Sequence, residues 1–138
     1  MFNFVEKHNL LYANQFGFRP HHSTELAVIK LIDTISTALD QNKYTCSVAL
    51  DFRKAFDTLD LNILLCKLQY YRFRSIPFNY LSLYLHSRSQ YVFINSTRSN
   101  VLPVTHGVPQ GSILGPFLFL IYINDISKVM PDTEPIFC

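Results

Sequence analysis

The residues of this chain best suited to chemistry lie in one run, His106-Gly107-Val108-Pro109-Gln110-Gly111-Ser112-Ile113-Leu114-Gly115-Pro116. It holds three of the four glycines and two of the seven prolines. Glycine suits positions that need φ > 0 or close approach by another group. Interleaved with Pro, Gln and Ser, these glycines make a poor helix and a poor strand. The almost wholly apolar Phe117-Leu118-Phe119-Leu120-Ile121-Tyr122-Ile123 follows directly. A loop of bare backbone therefore opens a buried element, and Pro116 suits its first helical turn. Such a loop brings backbone and one amide side chain, Gln110, up to a ligand. A Walker phosphate loop is excluded, because it needs a lysine at its end and no lysine or arginine lies between Arg98 and Lys128. The spacing also fails the dinucleotide fingerprint and the hydrolase nucleophile elbow.

A second run offers a carboxylate. Thr45-Cys46-Ser47-Val48-Ala49-Leu50-Asp51 alternates with period two and reads as a strand over 45–51. Cys46, Val48 and Leu50 form its apolar face, with Cys46 expected in the core. Ser47, Ala49 and Asp51 form the other face, with room above a terminal carboxylate. Phe52-Arg53-Lys54-Ala55-Phe56-Asp57 then turns the chain with two cations and two aromatics. Asp57 and Asp60 read as turn and cap residues. His21 and His22 read as a surface loop. The three cysteines, Cys46, Cys66 and Cys138, lack metal-ligand spacing and read as ordinary intracellular thiols.

The elements that must position these groups are legible in outline. Ser23 reads as an N-cap, and Leu26, Ile29, Ile32, Ile35 and Leu39 then recur at helical spacing, giving a helix over 24–40. Asp60 caps a helix over 61–71 with Leu61, Leu64, Leu65 and Leu68 on one face. A short helix covers 78–85. Residues 90–95 and 100–105 flank Ser96-Thr97-Arg98-Ser99 as a hairpin, and a helix over 116–126 closes the order. The fold class is α+β. The chain has 138 residues, one domain's worth, and is 49% hydrophobic and 16% charged, so it can bury a core. Net charge is +2, mild for a nucleic-acid binder. Arg53, Lys54, Arg72, Arg74, Arg88 and Arg98 are the local basic sites. No apolar run approaches the ~18 residues of a membrane span, and no membrane partner is expected.

Four segments in this order resemble the reverse transcriptase domain of non-LTR retrotransposons, the jockey-like mobile elements of animals. They are Asn14-Gln15-Phe16-Gly17-Phe18-Arg19, Leu50-Asp51-Phe52-Arg53-Lys54-Ala55-Phe56-Asp57, the loop from Gly107 to Pro116, and Leu120-Ile121-Tyr122-Ile123-Asn124-Asp125-Ile126. The resemblance implies part of a polymerase palm and the inner fingers of a right-hand fold. It implies RNA-directed DNA synthesis, in which two Mg²⁺ (or Mn²⁺) ions about 3.5–4 Å apart serve the attacking and leaving oxygens. On this reading Asp51 matches the first metal aspartate, and the Phe52 backbone carbonyl is a further ligand. Phe56 matches the aromatic that packs under the sugar and rejects a 2′-hydroxyl. Gln110 and Gly111 match the nucleotide pocket. Arg19, Gly107, Pro109 and Gly115 are candidates for template, primer or phosphate contact. The implied partners are an RNA template, a DNA primer and dNTPs, and the implied location is nucleus and cytoplasm.

One departure matters. The implied site needs two adjacent aspartates, and this chain has no Asp-Asp anywhere. Pro135-Ile136-Phe137-Cys138 reads as a strand running toward the hairpin that carries such a pair. Residues 1–138 are therefore expected to be a partial fingers and palm domain without that hairpin and without the thumb. The alternative is a non-catalytic, degenerate element remnant that at most binds nucleic acid.

Overall fold

A computed structural model describes residues 1–138, which divide into two compact units: Met1–Arg53 with Ile123–Cys138, and Lys54–Tyr122. The elements are α1 (Phe2–Lys7), α2 (Thr24–Asp40), α3 (Leu61–Tyr70), α4 (Ser75–His86), β1 (Ser89–Gln90), β2 (Phe93–Ile94), β3 (Thr97–Arg98), β4 (Leu102–Pro103), α5 (Leu114–Ile123) and a 3₁₀ turn, Ile126–Val129. Helices with small sheets make the fold α+β. No helix is long and apolar enough to cross a membrane.

In the unit formed by Lys54–Tyr122, α3 starts where the sequence says it must. Asp60 is extended, and its carboxylate accepts from the backbone N–H groups of Asn62 at 2.8 Å and Ile63 at 3.0 Å. Those are two of the four donors a helix start leaves free. Leu61, Leu64 and Leu68 are buried, as are Leu81 and Leu85 of α4 and Phe117, Leu118, Leu120 and Ile121 of α5. Phe117 meets Phe73 edge-on at 6.0 Å. These side chains are the core on which the glycine loop is mounted. Helix α4 begins at Ser75, earlier than the 78–85 expected, because proline at position 77 is tolerated in a first helical turn.

The hairpin turn is also displaced from the expected Ser96–Ser99. Phe93 pairs with Arg98 and Ile94 with Thr97, so the turn is the two residues Asn95 and Ser96. Both have positive φ, 47° and 64°, the conformation that matches the right-handed twist of flanking strands. At the base, Ser89 pairs with Pro103 and Gln90 with Leu102. Three steps separate Gln90 from Phe93 and four separate Arg98 from Leu102, so one extra residue forms a bulge between the two short sheets.

In the other unit, α2 has the expected bounds, and Ser23 Oγ accepts from Leu26 N at 3.3 Å. Its packed side is not the expected apolar stripe. Ala27 is buried, Lys30 forms an ion pair with Glu134 at 2.8 Å, and Thr34 Oγ1 donates to Glu134. Leu26, Ile29, Ile32 and Leu39 stay exposed, and Ile35 is half-buried. The expected strand over 45–51 is absent: residues 43–52 are irregular and exposed throughout, including Cys46. A strand exists only as one member of a pair, and nothing pairs with this segment. Cys46, Cys66 and Cys138 are all free and exposed, which corrects the core placement of Cys46. The segment Pro135–Cys138 forms one parallel bridge, Gln15 to Phe137, with Phe16 N donating to Phe137 O at 2.7 Å and Phe137 N to Asn14 O at 3.0 Å.

Helix α5 ends at Ile123, short of the expected residue 126. Asn124 turns its side chain to other backbone instead of continuing the helix. Its Oδ1 accepts from Tyr12 N and its Nδ2 donates to Leu10 O, both at 2.7 Å, and the residue is buried. Asn124→Ala leaves an N–H and a C=O without partners in a part-buried place, so a loss of about 2–3 kcal/mol is expected. Urea titration of the variant against the parent chain measures it, and a change under half a kcal/mol would mean the bracket is idle.

Candidate functional site

The glycine loop is built around contacts with the chain's own backbone. Gly107 N donates to Leu59 O at 2.8 Å and Val108 N to Phe56 O at 2.8 Å. An isolated bridge joins Asp60 to His106. The loop is thus stitched to Phe56–Asp60 before it turns outward. Ser112 closes its far end: Ser112 Oγ donates to Pro109 O at 2.7 Å and accepts from Gly115 N at 3.0 Å.

This arrangement sorts the glycines that sequence treated alike. Gly107 has φ +75° and is buried, and a Cβ there would lie 2.7 Å from the Asp57 Cα and 2.8 Å from the Phe56 carbonyl oxygen. Its close approach is to the backbone of Phe56 and Asp57. Gly115 is also buried, at the start of α5, with Ser112, Pro109 and Val108 around it. Gly111 is the open one: φ is +71°, and nothing lies within 4 Å of where its Cβ would be.

Gln110 is exposed, and its Nε2 donates to Asp57 Oδ1 at 2.8 Å. Asp57 is therefore more than a turn residue, since it fixes which end of the Gln110 amide faces outward. With Nε2 committed to a carboxylate, Oε1 is left to accept from a ligand. No sequence signal pointed to this pair, because the partners are 53 residues apart. Both line an open cavity of about 500 Å³, together with Pro109, His106, Thr105 and Arg88. Phe56 is half-buried, its ring 5.0 Å from that of Phe119. One side of the ring thus rests on α5.

Asp51 and Phe52 lie on the exposed irregular segment, and Asp51 makes no hydrogen bond or ion pair. No group of three or more His, Cys, Asp or Glu residues is placed to hold a metal ion. A divalent cation of this class takes several oxygen ligands, and Asp51 has no second carboxylate grouped with it. His21 and His22 join no such group: His21 is exposed, and His22 lies 5.7 Å from the Phe16 ring.

Arg19 is engaged inside its own unit. Its Nε donates to Glu6 Oε1 at 2.8 Å and its Nη2 to Glu6 Oε2 at 3.0 Å, with the arginine side chain 13% exposed. Its fork is paired with a carboxylate. The guanidinium holds the Glu6 carboxyl below the usual carboxylate range. A depressed folded-state pKa adds stability above the unfolded value and loses it as pH falls through the folded one. The melting temperature is therefore expected to fall below about pH 4.5. Glu6→Gln should flatten part of that decline, and an unaltered acid limb would show that the pair contributes nothing.

Comparison with known proteins adds to this geometry. Residues 1–137 match the family model described as reverse transcriptase (RNA-dependent DNA polymerase), and the chain belongs to that family. It is 35% identical over 133 residues to the probable RNA-directed DNA polymerase from transposon X-element of Drosophila melanogaster, covering 94% of this chain and 14% of that protein. It is 31% identical over 123 residues to the RNA-directed DNA polymerase from mobile element jockey of the same fly, covering 87% and 13%. For the probable RNA-directed DNA polymerase from transposon BS the values are 33% over 122 residues, 88% and 13%. The chain thus spans about one seventh of the length of these relatives.

Proposed function

We propose that this chain supplies the nucleotide-pocket loop and the first metal aspartate of a retrotransposon's RNA-directed DNA polymerase. Its substrates are dNTPs, a DNA primer and an RNA template, and its place of action is nucleus and cytoplasm. The reading assigns residues 1–138 to a partial fingers and palm domain, with the Asp-Asp hairpin and the thumb outside these residues. The observation that carries it is Gln110, held by Asp57 at the rim of a cavity, with its acceptor oxygen left for a ligand.

Roles follow from position. Gln110 Oε1 and the open backbone at Gly111 meet the incoming nucleotide. Phe56, backed by Phe119, presents a flat ring to the sugar, where a 2′-hydroxyl clashes and a deoxyribose fits. Asp51 becomes useful when its segment gains a strand partner and a carboxylate pair beside it. The 138 residues alone are accordingly expected to incorporate no dNTP on a primed RNA template with Mg²⁺.

The decisive test is a chimera in which residues 14–125 replace the matching segment of the jockey enzyme, assayed by primer extension on RNA. Extension within about tenfold of the parent, a barrier change near 1.4 kcal/mol, is expected. A folded chimera that binds primed template yet extends nothing would favour the non-catalytic reading, which the unpartnered Asp51 segment also suggests.

A further inference from the structure

We infer that Arg88 makes the cavity beside the glycine loop a binding site for a phosphate oxyanion. Arg88 lines that cavity with Gln110, His106 and Thr105. Its backbone is fixed at the hairpin base, where its carbonyl accepts from Val104 N at 3.0 Å. Its side chain is fixed as well: Nε donates to Leu85 O at 3.0 Å, and one Nη2 hydrogen goes to Gly107 O. A guanidinium carries five N–H donors. Two are used on backbone carbonyls, which bear no net charge, and three remain.

No carboxylate forms an ion pair with Arg88. The segment from His86 to His106 contains two arginines and no acidic residue. Asp57 is the one acid lining the cavity, and its Oδ1 is already occupied by the Gln110 amide. A half-buried, preoriented cation with free donors and no counter-ion is matched by an oxyanion that accepts from several N–H groups at once. Partial burial has already cost Arg88 some of its hydration, and it draws the pKa down. Phosphate is the chemistry that the loop's proposed ligands share, whether it belongs to a nucleic-acid strand or to a free nucleotide. The nucleic-acid origin of that phosphate rests on the polymerase reading, whereas oxyanion binding rests on the cavity alone.

The test uses the 138-residue chain. The Nε–H resonance of Arg88 is followed by NMR during separate titrations with a 12-nucleotide oligouridylate, with dTTP and with inorganic phosphate. Fluorescence anisotropy of the labelled oligouridylate is measured for the parent, for Arg88→Met and for Arg88→Lys. Saturable movement of that resonance is expected. So are about tenfold weaker oligouridylate binding by Arg88→Met, a salt slope smaller by about one, and partial retention by Arg88→Lys. Stronger movement with oligouridylate assigns the phosphate to a strand, and stronger movement with dTTP assigns it to a nucleotide. A stationary resonance in all three titrations overturns the proposal and leaves Arg88 as an anchor of Gly107. Because that arm uses the unsubstituted chain, it decides even if Arg88→Met fails to fold. An inactive chimera with a moving Arg88 resonance would sink the polymerase reading and leave this one standing.

Discussion

Gly107→Ala is expected to destabilise the chain by about 3–5 kcal/mol, while Gly111→Ala costs only about 1 kcal/mol. Both residues have positive φ, near +75° and +71°, and a non-glycine residue there carries a penalty of about 1–2 kcal/mol. The difference is space. At Gly111 a methyl group enters solvent. At Gly107 it meets the backbone of Asp57 at 2.7 Å and the Phe56 carbonyl at 2.8 Å, and backbone cannot swing aside as a side chain can. The loop must lift, which stretches the bonds from Gly107 N to Leu59 O and from Val108 N to Phe56 O, each worth about 1 kcal/mol. Against a typical total of about 5–15 kcal/mol, this is a large share. At roughly 4 °C per kcal/mol for this size, thermal melts should drop by about 10–20 °C for Gly107→Ala and about 4 °C for Gly111→Ala. Equal drops would refute the division of labour between the two glycines. The same lift would carry Gln110, three residues on, away from Asp57, so the variant should also lose whatever the cavity binds.

How much of this was legible depends on how local the cause is. Helices α2 and α3 stood where periodicity and the side chains of Ser23 and Asp60 placed them, because a cap acts within three residues. The hairpin turn was misplaced by reading polarity over Ser96–Ser99. The sharper signal was Asn95, a residue that tolerates the left-handed conformation a two-residue turn requires. The alternation over 45–51 is real, yet alternation only says which face would be buried. Burial needs a partner, and this chain offers none, so Val48 and Leu50 are 75% and 71% exposed. The stripe on α2 has the same fate. Glycine spacing announced close approach without saying to what: Gly107 and Gly115 approach the protein itself, and Gly111 alone is open. The pairs that define the site, Gln110 with Asp57 and Arg88 with Gly107, are long-range and polar, with no periodicity to betray them.

In the chimera, Asp51→Asn is expected to lower primer extension at least ~10³-fold, about 4 kcal/mol of barrier, while leaving folding and template binding intact. Three aspartates within ten residues make the contrast. Asp60 is consumed as a helix cap by Asn62 N and Ile63 N. Replacing it costs stability, about 1 kcal/mol, with no direct effect on chemistry. Asp57 is engaged by Gln110, so Asp57→Asn, which keeps an acceptor oxygen, should raise the dNTP KM several-fold and leave kcat near the parent value. Asp51 alone has no internal employment: it is exposed, makes no bond and supports no element. A carboxylate that nothing in its own fold uses can be replaced by its amide at little cost in stability. Any large loss of extension must then come from the missing negative charge that a divalent cation requires of its oxygen ligands. Measured kcat and KM for the three variants separate these roles, because only a ligand loss depresses kcat with melting unchanged. If Asp51→Asn extended primers as the parent chimera does, the carboxylate would be idle, and the polymerase reading of this segment would fail with it.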